Sequence, residues 1–395
     1  MRLRCSARTG LSGGSSDGGG SGGGGVAGIM QGTPALGAGR ALDRIFSDDP
    51  GGTIAALFMP LTTEQQVTDA VNQTLPLMTG ATISAAQNIM GGINRVIQSR
   101  IESNRLQTSG SSGSDDAFFG DRHIWMKPFG SWARQSAQDG AAGFDADTYG
   151  LAFGVDGART DTLRFGAAFI YANSNVNSKS VAAPQSADVD AYQLVGYGSL
   201  DLDDRTSLDF QADIGHNRNN GRRSISFASS VASSSYSSRT AHAGVRIGRR
   251  YFLNEQTSVT PSLHADYSWI KDDGYTETGA GALSLNVGSR STRQFILGAD
   301  SKLTYQIDSR NTLSVDLGVG YDTIHKRDAI VAAYAGAPDA AFATYGVSPS
   351  PWVVTGGLGW MIEVRQGVEI TGRYDIEHRT GFLNQSASVK VRWSF

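Results

Sequence analysis

From Ile124 to the end of the chain, apolar and polar residues alternate with a period of two. That period sets one group of side chains on each face of a strand. Leu163, Phe165, Ala167, Phe169 and Tyr171 form one apolar face. Val259, Pro261, Leu263, Ala265, Tyr267 and Trp269 form another, and Leu313, Val315, Leu317, Val319 and Tyr321 a third. The opposite faces carry Arg164, then His264 and Asp266, then Asp316 with Gly318, Gly320 and Asp322. Stretch 367–378 lines up Glu369, Thr371, Arg373, Asp375 and Glu377. At the end of the chain, Val389, Val391, Trp393 and Phe395 alternate with Ser388, Lys390, Arg392 and Ser394. The facing of 124–134 and 187–201 is ambiguous.

About twelve strands are predicted, at 124–134, 145–158, 162–175, 187–201, 206–219, 237–251, 256–271, 289–307, 312–326, 351–364, 367–378 and 384–395. Most exceed the five or six residues usual in soluble sheets. They suit tilted strands that cross a membrane. Longer connections at 135–144, 176–186, 220–236, 272–288 and 327–350 alternate with tight ones at 159–161, 202–205, 252–255, 308–310 and 365–366; only the last connection on the long side, near 379–383, is short. Outer-membrane barrels segregate loop length in this way, with long loops outside and tight turns in the periplasm. Lipid tolerates no open backbone polar group, so such strands must close on themselves. A charge on the lipid face near the midplane would cost about 2–4 kcal/mol, and the apolar faces above contain none.

Before the strands the period lengthens. Thr63 with Gln66 reads as a capping box for a helix carrying Val67, Ala70 and Val71, broken by Pro76 and Gly80. A second helix is expected over 82–106, with Ile83, Ala86, Met90, Ile93, Ile97 and Ile101 in one stripe. Arg95, Arg100 and Arg105 make it basic, against Glu102. Twenty-five helical residues span roughly 37 Å. Residues 1 to about 40 are Gly/Ser-rich and read as a flexible linker. Gly10 to Gly14 and Gly20 to Gly25 mimic a nucleophile elbow and a dinucleotide loop, but neither has the strand-to-helix setting those need.

Composition narrows the classes. Gly is abundant at 50 residues and Pro scarce at 10. A net charge of −3 gives no reason to expect a nucleic-acid partner. One cysteine, Cys5, excludes an intrachain disulfide and a cysteine zinc cluster. No apolar run reaches the length of a transmembrane helix. The start lacks the apolar core of a secretory leader, so an exported protein with this start is expected to be a fragment or a truncated product.

Several motifs resemble one family. Trp125-Met-Lys-Pro-Phe129-Gly130-Ser-Trp132 is followed by Tyr149-Gly150-Leu-Ala-Phe-Gly154-Val-Asp156, then by Leu163-Arg-Phe-Gly166. Tyr267 through Tyr275 with Glu277, and the terminal Val391-Arg-Trp-Ser-Phe395, complete the set. In order and spacing they resemble the translocator β-domain of monomeric autotransporters, the type V secretion proteins of Gram-negative bacteria. The resemblance covers roughly Thr62 to Phe395. It implies an all-β transmembrane barrel of twelve antiparallel strands, with an N-terminal α-helix threading the lumen. It also implies a monomer in outer-membrane lipid, a covalently linked passenger upstream, and a C-terminal signal read by the barrel-assembly machinery: Val389, Val391, Trp393 and Phe395. The expected division is a Gly/Ser-rich linker or passenger remnant over 1–61, a helical segment and linker over 62–116, and the barrel over 117–395.

Under that reading Arg95, Arg100 and Arg105 face lumen acids such as Asp156, Asp209, Asp213, Asp316 and Glu369. The isoleucine stripe lies against a Gly- and Ala-lined sector of wall. Some family members cut their own helix at an asparagine. Asn88, Asn94 and Asn104 are the helical candidates, while the pair Asn219-Asn220 is placed in a loop. The six histidines (His123, His216, His242, His264, His325 and His378) are scattered without metal spacing. Neither an enzyme active site nor a cofactor is expected. A passive outer-membrane diffusion channel and a soluble β-rich adhesive domain are the competing readings.

Overall fold

The computed structural model describes residues 24–76, 81–105, 122–327, 329–365 and 368–393. Twelve long antiparallel strands follow one another in chain order. They are β1 (Arg122–Gln135), β2 (Phe144–Ala158), β3 (Leu163–Ser178), β4 (Gln185–Asp201), β5 (Thr206–Ile225) and β6 (Ser230–Arg249). The other half is β7 (Thr257–Asp272), β8 (Arg290–Gln306), β9 (Asn311–Asp322), β10 (Trp352–Arg365), β11 (Val368–Arg379) and β12 (Phe382–Trp393). Each pairs with its sequence neighbours, and β1 pairs with β12, so the sheet closes and no edge remains. A two-residue strip, Tyr251–Phe252, adds to β7.

Outward side chains form the apolar band the sequence predicts. Phe169, Leu263, Leu317 and Val319 are exposed, as are Val389 and Val391 of β12. A water-soluble surface rarely carries so large an apolar band. The two ambiguous strands are settled as well: Ile124 and Met126 of β1 and Leu194 of β4 point out, while Trp125, Lys127, Gln193 and Tyr197 point in. The side chains of Trp393 and Phe395 lie outside the described residues.

The tight turns have a local cause. Asp308 accepts the backbone N–H groups of Arg310 and Asn311 at 2.7 and 2.8 Å. Asp203 does the same for Arg205 and Thr206, both at 2.8 Å. A carboxylate that captures the amides two and three residues on closes the chain without a longer loop. The backbone amide bonds hold both carboxyls below the usual range.

Two expectations need correction. Residues 220–236 are not a long loop. β5 and β6 run on to Ile225 and Ser230 and join through Ser226–Ala228. Asn217, Asn219 and Arg223 are buried while His216, Arg218 and Arg222 are exposed, so the period persists with polar residues on both faces. Asn219 therefore sits in a strand, bonded to Ser238 Oγ at 2.7 Å.

The second correction concerns 1–61. From Gly24 onward this segment is folded. It forms α1 (Val26–Ile29), α2 (Leu36–Asp48) and α3 (Thr53–Phe58), followed by α4 (Glu64–Gln73) with its Thr63–Gln66 capping box. Met30, Leu42, Ile54, Phe58, Val67 and Val71 share one core with Ile225, Leu283, Leu285, Ile330, Tyr334 and Phe342 from the long-loop side. There the chain builds a small second sheet from Tyr275–Thr276, Leu285–Val287, Ala329–Tyr334 and Ala337–Tyr345. α2 approaches it so closely that a Cβ on Gly37 would lie 2.1 Å from the Ala343 carbonyl oxygen. Helices 24–73 and the loop sheet thus form one cap over the long-loop mouth.

Candidate functional site

α5 (Ala81–Arg105) lies inside the barrel, starting at the capped mouth and ending toward the tight turns. The predicted stripe divides: Ile93, Ile97 and Ile101, with Ala85, Ile89 and Val96, are buried against inward residues of β1 to β4, among them Ala152, Ala168, Ile170, Ala172, Val189 and Val195, while Ile83, Ala86 and Met90 cluster with Ile270 of β7. Each large side chain so covered contributes about 1.5–3 kcal/mol. The four isoleucines alone then give roughly 6–12 kcal/mol, more than any single ion pair supplies, so the stripe seats the helix. The wall sector is rich in Ala, Val and Ile rather than Gly. Glycine serves elsewhere: Trp125 and Phe129 oppose Gly154 and Gly150 in the β1–β2 register. A Cβ on Gly154 would meet the Trp125 ring at 2.6 Å. The ring lies flat over the strand only because nothing projects there.

One ion pair between α5 and the wall is fully buried. Arg100 donates from Nε and Nη2 to the two oxygens of Asp156, both at 2.7 Å. Tyr197 donates to Asp156 Oδ2 at 2.6 Å, and Trp125 Nε1 donates to the Tyr197 hydroxyl at 2.7 Å. The guanidinium also sits 5.9 Å from the Trp125 ring centroid. This side-on fork fixes both the rotation and the depth of the helix.

The far side of α5 faces a polar wall. Arg95 pairs with Glu377 at 3.2 Å, and Glu102 with Lys302 at 2.5 Å. Asn94 donates to Asp266 at 3.1 Å. Of the five acids singled out from sequence, Asp156 meets a helix arginine. Asp213 binds His242 at 2.8 Å, Asp316 binds Arg373 at 3.0 Å and Glu369 binds Lys390 at 3.1 Å. Asp209 is buried in the same lumen. The Arg105 side chain lies outside the described residues, as does that of Asn104. A cavity of about 320 Å³ remains between helix and polar wall.

Two groupings escaped the sequence reading. His242 and His264 meet around Asp266, at 3.2 and 3.7 Å, because β6 and β7 bring them together in register. No cluster of His, Cys, Asp and Glu suited to a metal ion occurs among the described residues. In the cap, fully buried Arg223 pairs with Glu277, and it also donates to the Gln73 carbonyl and, at 3.0 Å, to that of Leu283. The Gln73 carbonyl ends α4, where free carbonyls and the helix dipole both favour a cation. Thr74 Oγ1 bonds the Tyr334 hydroxyl at 2.8 Å.

A closed twelve-stranded barrel with a lipid-facing belt, tight turns at one end and a helix through its lumen is an outer-membrane barrel with an internal plug. The family model described as autotransporter beta-domain matches residues 124–375. The chain belongs to that family, and its place is the outer membrane of a Gram-negative bacterium. Outer membrane protein A of Rickettsia rickettsii is 28% identical over 76% of this chain and 14% of its own length. An extracellular serine protease of Serratia marcescens is 24% identical over 69% of this chain and 26% of its own length. The chain thus spans only a small part of these relatives. The translocator domain of autotransporter NalP from Neisseria meningitidis shares the fold, with a TM-score of 0.63 and 17% identity over 80% of this chain and 99% of that one.

Proposed function

We propose that this chain anchors a passenger to the outer membrane and supports its secretion or display at the cell surface. The observation that carries this reading is the path of the chain. It leaves the cap, passes through the lumen as α5 and enters β1 from the turn side. Residues 24–76 pack on the long-loop side, the side that faces outward in outer-membrane barrels. Arg95, Arg100 and Arg105 act as the basic residues that hold the helix in the pore. Val389, Val391, Trp393 and Phe395 serve as the assembly signal for the barrel-assembly machinery. The barrel works as a monomer and as a conduit and anchor, not as an enzyme. Residues 24–76 form the first external unit, and residues upstream of them lead toward the passenger.

The test is topological. An epitope placed before Gly24, in a chain exported with a cleavable leader, is lost when protease is added to intact cells. An epitope that survives until the outer membrane is permeabilised would overturn the reading. The passive-channel alternative gains support only from the cavity beside α5, and it leaves the seated stripe and the Arg100 fork without a role.

A further inference from the structure

Four cations lie on the outward face of four consecutive strands near the capped rim: Arg218 on β5, Arg239 on β6, Lys271 on β7 and Arg293 on β8. Arg239 stands directly opposite Lys271. Lys271 opposes Ser291, two residues from Arg293, and Arg218 opposes Ser237, two residues from Arg239. Direct cross-strand neighbours are about 5 Å apart at Cβ and diagonal ones about 7–8 Å. Like charges so placed destabilise a sheet. Arg239 and Arg293 are exposed and Lys271 is half-buried, and none of the three makes an ion pair among the described residues. Arg218 lies over the Tyr192 ring at 5.9 Å and opposes Asp190 in register, so it borders the group. Asp273, the outward acid nearest in register, forms no ion pair among the described residues either.

The height of this group is readable. Below Arg239 the outward residues of β6 are Ala241, Ala243, Val245 and Ile247, before the next cation, Arg249. Ten residues are roughly 33 Å of strand. At a tilt of about 45° that is roughly 23 Å of height, close to the apolar band of an outer-membrane barrel. Trp269 and Phe295 mark the same border on β7 and β8. The cations therefore stand at headgroup level in the outer leaflet. At this height β2 and β4 carry Asp147, Asp188 and Asp190 instead, so the positive sector occupies one side of the barrel.

We infer that Arg239, Lys271 and Arg293 bind the phosphate groups of a phosphorylated glycolipid of the outer leaflet. Its acyl chains run down over Trp269, Phe295 and the apolar band. The adjacent apolar belt requires an amphiphile, and three spaced cations match the separated phosphates of a sugar headgroup. Arginine forks suit phosphate oxygens. The bound anions relieve the repulsion between Arg239 and Lys271.

The experiment uses the full chain in detergent. Binding of bisphosphorylated lipid A is followed by native mass spectrometry and thermal shift, beside its dephosphorylated form and inorganic phosphate. The phosphorylated lipid is expected to bind and stabilise, and inorganic phosphate at equal concentration to do neither. Each cation contributes about fivefold, so Arg239→Ser/Lys271→Ser/Arg293→Ser weakens binding by on the order of a hundredfold. Arg205→Ser/Arg310→Ser, which removes charge at the opposite rim, leaves it unchanged. Equal binding of the dephosphorylated lipid, or triple-variant binding within about twofold of the parent, overturns the inference. Should the triple variant fail to fold, Lys271→Ser and the salt dependence of the parent decide. Binding then weakens about fivefold and falls with salt, and salt-independent binding overturns the proposal.

Discussion

Removing the Arg100 side chain tests how the plug is held. In Arg100→Ala the Asp156 carboxylate keeps the Tyr197 hydroxyl but loses both guanidinium bonds, in a site where both side chains are 2% exposed. A buried charge left without its partner costs about 3–5 kcal/mol. The lost stacking on Trp125 adds about 0.5–2 kcal/mol. The isoleucine stripe remains, worth roughly 6–12 kcal/mol, so the helix is loosened and not expelled. Amide hydrogen exchange along α5 reads this directly: its protection falls in Arg100→Ala while that of β1 to β4 is kept. Arg100→Met with Asp156→Asn removes both charges and retains an acceptor for Tyr197. That double variant recovers most of the protection, giving a coupling of about 2 kcal/mol or more. Unchanged exchange in Arg100→Ala, or a coupling near zero, would show that water in the lumen already satisfies Asp156 and that the fork does not hold the helix.

Three further outcomes are expected. Gly154→Leu drives the Trp125 ring off the wall and breaks its bond to Tyr197, so the yield of folded, heat-modifiable barrel drops sharply; Gly372→Ala, which meets nothing within 4 Å, keeps it. Arg223→Met strands the Glu277 carboxylate in the cap at a cost of about 3–5 kcal/mol, and limited proteolysis then cuts within 24–76 while the barrel strands stay resistant. Asp308→Ala loses stability relative to the parent at neutral pH. The folded carboxyl is depressed, first by the Arg310 amide. Its contribution is therefore present above the unfolded value of about 3.9 and disappears as pH falls through the folded value. The gap between the two proteins should narrow as the pH is taken below the unfolded value, as read from heat-modified mobility along an acid titration from neutral pH.

The parts legible in the sequence were those that one residue pattern specifies by itself. Strand facing, tight turns, the Thr63 capping box and the Ile93, Ile97 and Ile101 part of the helix stripe each need only local spacing. The β5–β6 extension was hidden because Asn, Arg and Ser occupy both of its faces, which removes the hydrophobic contrast and leaves the period intact. The cap was hidden for another reason. Leu42, Ile45, Ile54 and Phe58 follow a Gly-rich run, and their partners Ile225, at the end of β5, and Leu283 and Phe342, in the long connections, lie far along the chain. Arg223 and Glu277 stand 54 residues apart, a separation that no local pattern bridges. In the lumen, Asp156 stood among the candidate acids and Arg100 among the candidate cations, but no local spacing pairs one with the other. Glu377, which takes Arg95, had been visible on the polar face of its strand, but pairing it with the helix requires the depth at which α5 sits.

Single-channel conductance in planar bilayers reads the plug itself when the full chain is compared with a version that begins at Gly110. A small or flickering conductance that becomes large and steady without the helix is the predicted result. Equal large conductances from the two proteins would show that α5 does not plug the lumen.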